Sequence, residues 1–221
     1  MNKLLSFLAP SWHLANRGLR SRFWHEELVN RSGRGPDLEA GHEPGVTEPD
    51  DGVGPLYLRS YRVRVYNATM NADDLLTSFR RQPNRFSPTS YAIFEPEPGP
   101  DGLRPGDELE VKLPGPWDGP VRVVDVTPTS MRLDTRDGHM EAGTIEFTAR
   151  DVGDARLEFR IRSQARSATP VVNTLYSRIP VAKLVQSQMW AQVLEAAVDV
   201  SGGVQEGRLD FQTVVYSEDQ P

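Results

Sequence analysis

Alternation of apolar and charged side chains between Val121 and Arg162 constrains this chain more than any other feature. The stretch contains V-R-V-V-D-V, M-R-L-D-T, G-H-M-E-A-G-T-I-E-F-T-A-R and A-R-L-E-F-R-I-R. In the last of these, Ala155, Leu157, Phe159 and Ile161 fall on one side, and Arg156, Glu158, Arg160 and Arg162 on the other. Successive side chains of a strand point to opposite faces, so the pattern predicts antiparallel strands with one buried and one wet face. Such a sheet must cover its apolar face. The segment Val171–Val198 supplies the cover: Val172, Leu175, Ile179, Ala182, Val185, Met189, Val193 and Ala196 recur at the spacing of one helix face. Pro180 either divides that segment into two helices or kinks one.

Upstream, Tyr57–Tyr66 reads as a first strand with Tyr61, Val63 and Val65 inward and Arg62 and Arg64 outward. Asn71 is an N-cap candidate for a helix that begins at Ala72, and Asp73 and Asp74 in its first turn suit the helix dipole. Pro83 and Pro88 close that helical region, and a short strand follows near Phe94. The order is strand, short helices, about six antiparallel strands and a long helix. It predicts an α+β helix-grip domain, a curved antiparallel sheet wrapped around a C-terminal helix, over residues 56–200. Side chains that fail to fill the space between sheet and helix would leave a ligand cavity.

The flanks differ from this domain. Residues 1–34 hold six basic against two acidic side chains and a loose apolar stripe that includes Trp12, Phe23, Trp24 and Leu28. They read as a basic, aromatic helical arm, broken near Gly18, that packs on the domain or on a second subunit, or docks on a membrane surface or protein partner. Residues 35–55 hold six acids and no Lys or Arg among Gly and Pro, and read as a linker. In the 201–221 tail, alternation at Leu209, Phe211, Thr213 and Val215 could add an edge strand or pair with another chain, as in a homodimer.

Composition removes several function classes. A net charge of −6 gives no basic field for nucleic acid, and the absence of cysteine excludes thiol chemistry and thiolate metal sites. His13, His25 and His42 lie outside the domain and form no ligand set, so neither a metal nor a cofactor is expected. No G-x-G-x-x-G or Walker spacing opens a helix, and no G-x-S-x-G elbow is present. The first residues lack a convincing signal peptide, and no apolar run approaches a membrane span, so a cytoplasmic protein is expected.

The runs Gly115–Val124, Leu133–Phe147 and Ile161–Ser167, followed by the helix with Lys183, Gln186 and Trp190, carry a family resemblance. Over residues 58–199 the chain resembles DUF1990, an uncharacterised bacterial family related to the START-like, Bet v 1-like, polyketide-cyclase-like (SRPBCC) superfamily. Gly138–Gly143 is its most specific piece. The resemblance implies a helix-grip fold and a ligand cavity, without a reaction to carry over. Thr144 and Gln164 stand where the family pattern often has a second acid and an aromatic strand end, so paired-carboxylate chemistry in that turn is not implied.

His139 and Glu141 are the one close His/acid pair of the domain. Two apart on a strand, they could converge on one site, where a carboxylate would orient the imidazole for general-base work. The same pair could instead tie the turn together or recognise a ligand. Tyr61, Val63, Phe94, Leu133, Phe147, Phe159, Met189 and Val193 are candidates to line the cavity or to be plain core. Trp117 on its Pro/Gly-rich loop could cap the end of the sheet or reach a ligand at the mouth. Arg166 could hold an anionic headgroup there. The leading reading is a non-enzymatic binder of a small apolar or amphipathic molecule. A cyclase- or hydrolase-like enzyme that uses His139 and Glu141 is the second.

Overall fold

Local alternation continues into long-range pairing. The computed structural model describes residues 24–33, 35–36, 44–87, 92–113, 118–178 and 180–217, with the side chains of Trp24 and of 175–185 outside that description. Among the described residues nine strands form one open sheet: β1 (Trp24–Ser32), β2 (Val53–Tyr66), β3 (Ile93–Glu95), β4 (Glu108–Lys112), β5 (Gly119–Val126), β6 (Ser130–Thr135), β7 (Glu141–Gly153), β8 (Arg156–Ser167) and β9 (Val204–Ser217). Their order is β1-β9-β2-β8-β7-β6-β5-β4-β3. Every pairing is antiparallel except that of β1 with β9. Helices α1 (Ala72–Arg81), α2 (Pro83–Phe86), α3 (Pro170–Arg178) and α4 (Pro180–Ser201) complete the fold. The sheet wraps around the long α4, which is the helix-grip arrangement.

The inner face is built by phase. Tyr61, Val63 and Val65 of β2, Leu157, Phe159 and Ile161 of β8, and Phe147 and Ala149 of β7 are all buried. They meet Val193, Leu194 and Ala197 of α4 and Leu75, Leu76 and Phe79 of α1 in one core. Phe79 stands 4.6 Å from Phe147 and 6.1 Å from Phe159, centroid to centroid, and makes an edge contact with Phe86. Asn71 caps α1 as expected, its Oδ1 accepting from the Asp74 amide at 2.8 Å. Among the described residues no helix is long and apolar enough to cross a membrane.

Four readings change. Residues 24–32 are a strand rather than part of a helical arm, because pairing with β9 overrides their local preference. The tail strand is not an edge: β9 lies between β2 and β1, and Phe211 makes a T-shaped contact with Tyr61 at 5.0 Å. Ala155 leaves the β8 alternation for the turn before it, where Asp154 and Ala155 adopt φ of 48° and 54°. Part of the acidic segment packs on the domain: Pro49–Asp51 forms a short 3-10 turn beside β7 and β8 with Pro49 buried, and β2 already begins at Val53. At Pro180, left open above, the chain divides into α3 and α4.

Candidate functional site

The rows of the sheet locate a polar group inside the apolar grip. Cross-strand pairing sets Tyr61 beside Ile161 and Ile161 beside Phe147. The next row in the same phase is Arg59, Ser163 and Ile145, and further along that face stand Tyr57, Ala165 and Gly143. Charged and polar side chains therefore enter the buried face where the apolar rows end. Arg59 is 8% exposed, and its guanidinium reaches Glu141 at 3.0 Å and lies 4.7 Å from the centroid of the Tyr57 ring. A charge at that depth is tolerable because it is paired.

Trp190 of α4 covers this transition, with ring centroids 5.9 Å from Tyr61 and 6.2 Å from Phe147. Its Nε1 and the Oγ of Ser163 are buried and make no hydrogen bond among the described residues. Buried polar atoms are nearly always paired, so these two stand out on an otherwise apolar face. The indole N–H can only donate, whereas the serine hydroxyl can donate or accept. Burial pushes the Tyr61 hydroxyl up from its ordinary value; nearby Arg59 opposes the shift, and Glu141 adds to it. Tyr61 is thus a protonated phenol under ordinary conditions.

His139 and Glu141 do not converge through their side chains. The Glu141 carboxylate turns toward β2 and Arg59, while the imidazole packs toward β5, where a Cβ on Gly119 would stand 3.2 Å from Nε2. The Glu141 amide donates to His139 Nδ1 at 2.9 Å, so the contact between the two residues is a turn-closing backbone bond. Burial lowers the imidazole pKa below its usual value, with the Glu141 charge and a backbone bond to Glu141 opposing. Gly143 explains the second glycine of the motif: it has φ of +155°, and a Cβ there would fall 2.0 Å from the Gln164 carbonyl oxygen. Thr135 Oγ1 of β6 accepts from the Gly143 amide at 2.8 Å and ties β7 to β6 at this point.

The other candidates divide by position. Tyr61, Val63, Leu133, Phe147, Phe159 and Val193 share the buried core, with Phe94 at its β3 end. Met189 is half-buried beside Trp190 on α4. Arg166 is in phase with Arg162 and Arg160 on the other face of β8, and it donates to the Gly54 carbonyl at 2.6 Å. It is therefore not part of the inner polar group. Trp117 lies outside the described residues. Among the described residues no three His, Asp or Glu side chains gather as a metal would require.

Arg59 and Ser163 are not among the candidates that the sequence offered. The usable signal was phase: Arg59 is in step with Tyr61, Val63 and Val65, and Ser163 with Phe159 and Ile161. A polar residue that keeps step with a buried face must find a partner there.

The model of a family described as a domain of unknown function, DUF1990, matches residues 67–196, more than half of the chain. No curated protein matches the chain. Among solved structures, a START superfamily protein from Mycobacterium smegmatis is 13% identical, with 66% of this chain and 97% of that one covered and a TM-score of 0.45. Norcoclaurine synthase from Thalictrum flavum, in complex with dopamine and hydroxybenzaldehyde, is 10% identical over 75% of this chain and 96% of that one, with a TM-score of 0.47. A hypothetical protein from Helicobacter pylori is 13% identical over 64% and 86%, with a TM-score of 0.45. Likeness at this level bears on neither ligand nor reaction.

Proposed function

The chain belongs to the DUF1990 family, and we propose that it binds a small, largely apolar molecule between the sheet and α4. The observation that carries this reading is the pair of buried groups without partners among the described residues, Ser163 Oγ and Trp190 Nε1, set on an otherwise apolar face. Because Glu141 neutralises Arg59, the polar end of the ligand need not be charged. A carbonyl or hydroxyl oxygen accepts from the indole N–H and exchanges a hydrogen bond with Ser163. The apolar remainder lies along Tyr61 and Ile145, next to the rows that Phe79 already fills. In this reading the protein works by binding rather than by turnover, and His139 serves the turn.

The test uses 6-propionyl-2-dimethylaminonaphthalene, a neutral fluorophore that joins an apolar ring system to one carbonyl. Saturable one-to-one binding with a blue-shifted emission is expected, weakened about tenfold by Ser163→Val or Trp190→Phe through loss of one hydrogen bond in a dry site. Binding that neither substitution changes, or no saturable binding, overturns the proposal.

A further inference from the structure

The outward face of the same sheet carries a second, unrelated cluster. Pairing places Arg64 of β2 and Arg150 of β7 directly on either side of Glu158 of β8. In the adjacent row Arg62 stands opposite Arg160. Like charges directly opposite each other on a sheet are destabilising unless a counter-charge is shared. Here Glu158 is that counter-charge for all four: Arg160 Nη2 donates to its Oε1 at 2.8 Å, and Arg150 Nη2 reaches the same oxygen at 3.5 Å. Arg64 Nε and Arg62 Nη1 stand 3.5 and 3.6 Å from Oε2, outside hydrogen-bonding geometry. Arg62 also pairs with Asp210.

Four guanidinium groups thus share Glu158 and Asp210, while Glu206, opposite Arg64 on β9, pairs with Arg156, so five arginines meet three carboxylates on a chain whose overall charge is −6. The carboxylate at the centre is buried, whereas the side chains of Arg64 and Arg150 are 53% and 68% exposed. Arg150 keeps one long hydrogen bond to the centre and Arg64 a contact outside hydrogen-bonding geometry, so both exposed guanidinium groups have N–H donors that Glu158 does not use. We infer that the row Arg64–Glu158–Arg150 is a binding site for a phosphate-type oxyanion, seated over Glu158 and clamped by the two exposed guanidinium groups, with Arg62 and Arg160 as fixed positive charge behind it. Guanidinium forks match the paired oxygens of a phosphate, and an added anion relieves the repulsion that a single shared carboxylate leaves. The chemistry of recognition is the same for a free phosphate and for one carried by a lipid headgroup. This site is independent of the pocket proposed on the inner face.

The full chain is titrated with inorganic phosphate by calorimetry at low ionic strength, and sedimented with vesicles of phosphatidylcholine alone or with phosphatidic acid. Saturable phosphate binding that Arg64→Gln/Arg150→Gln weakens by about tenfold or more, and Arg81→Gln leaves unchanged, is the expected result. Vesicle binding that requires phosphatidic acid, with the same dependence on the two arginines, supports the site and identifies a headgroup as the source. Added salt weakens either interaction. Thermal unfolding of the double variant verifies its fold. Should that variant fail to fold, Arg150→Gln alone, at the more exposed position, replaces it. Absence of saturable binding to both probes, or binding indifferent to these substitutions, overturns the inference.

Discussion

Replacing Ser163 by alanine should make the protein more stable, the reverse of the usual effect of trimming a buried residue. Ser163 is 7% exposed, it faces the interior between Arg59 and Ile145, and its hydroxyl makes no hydrogen bond among the described residues. A buried hydroxyl without a partner costs about 1–3 kcal/mol of desolvation. The void left by one oxygen atom takes back about 0.5 kcal/mol. The net expectation is a gain of about 0.5–2.5 kcal/mol, or about 1–10 °C in Tm for a chain of this length. Urea unfolding followed by circular dichroism, on protein stripped of bound apolar compounds by organic extraction and refolded, gives the number. The same variant should bind the carbonyl fluorophore more weakly, so stability and binding move in opposite directions. A loss of about 1 kcal/mol or more in Ser163→Ala would mean that the hydroxyl is already bonded within the protein, and the reasoning that assigns it to a ligand would fail.

Three further outcomes follow from the same geometry. Arg59→Met leaves Glu141 without its partner and should cost about 2–4 kcal/mol, while Arg59→Met/Glu141→Leu should recover most of it; equal losses in the single and double variants would contradict the pairing. His139 has a folded-state pKa below its unfolded value, so its contribution is present above about pH 6.5 and is lost as pH falls toward the folded pKa. Unfolding free energies between pH 8 and pH 5 should therefore decline with acid less steeply in His139→Gln, and an unchanged slope would remove His139 as the cause. Gly143→Ala drives a methyl group into the Gln164 carbonyl and should cost about 3 kcal/mol or more, read by thermal unfolding; a neutral result would contradict the close approach of β7 to β8.

Where a residue's environment follows from its own strand or helix, the sequence was readable. The inward phase of Leu157, Phe159 and Ile161 and the Asn71 cap both follow from neighbours a few positions away. Position in the sheet was not readable where it depends on distant partners. Nothing local to Leu209–Val215 says that β9 enters between β2 and β1, since that requires the chain to return alongside its own beginning. The same limit explains the site. His139 and Glu141 attract notice because they are close in sequence, yet their side chains reach β5 and β2. Arg59 and Ser163 are more than a hundred positions apart and meet only through the β2–β8 register. Their phase on an apolar face was visible in each strand separately; that both strands carry the polar residue in the same row was not.

The central claim is that a ligand completes the hydrogen bonding of the inner polar group, and the indole N–H of Trp190 reports on it directly. The chain has four tryptophans, so a proton–nitrogen correlation spectrum contains few indole signals, and Trp190→Phe assigns the one of interest. On titration with the carbonyl fluorophore, the Trp190 signal should move downfield to saturation with the same affinity that fluorescence gives. A Trp190 indole signal that stays in place while the fluorophore binds to saturation would contradict the account.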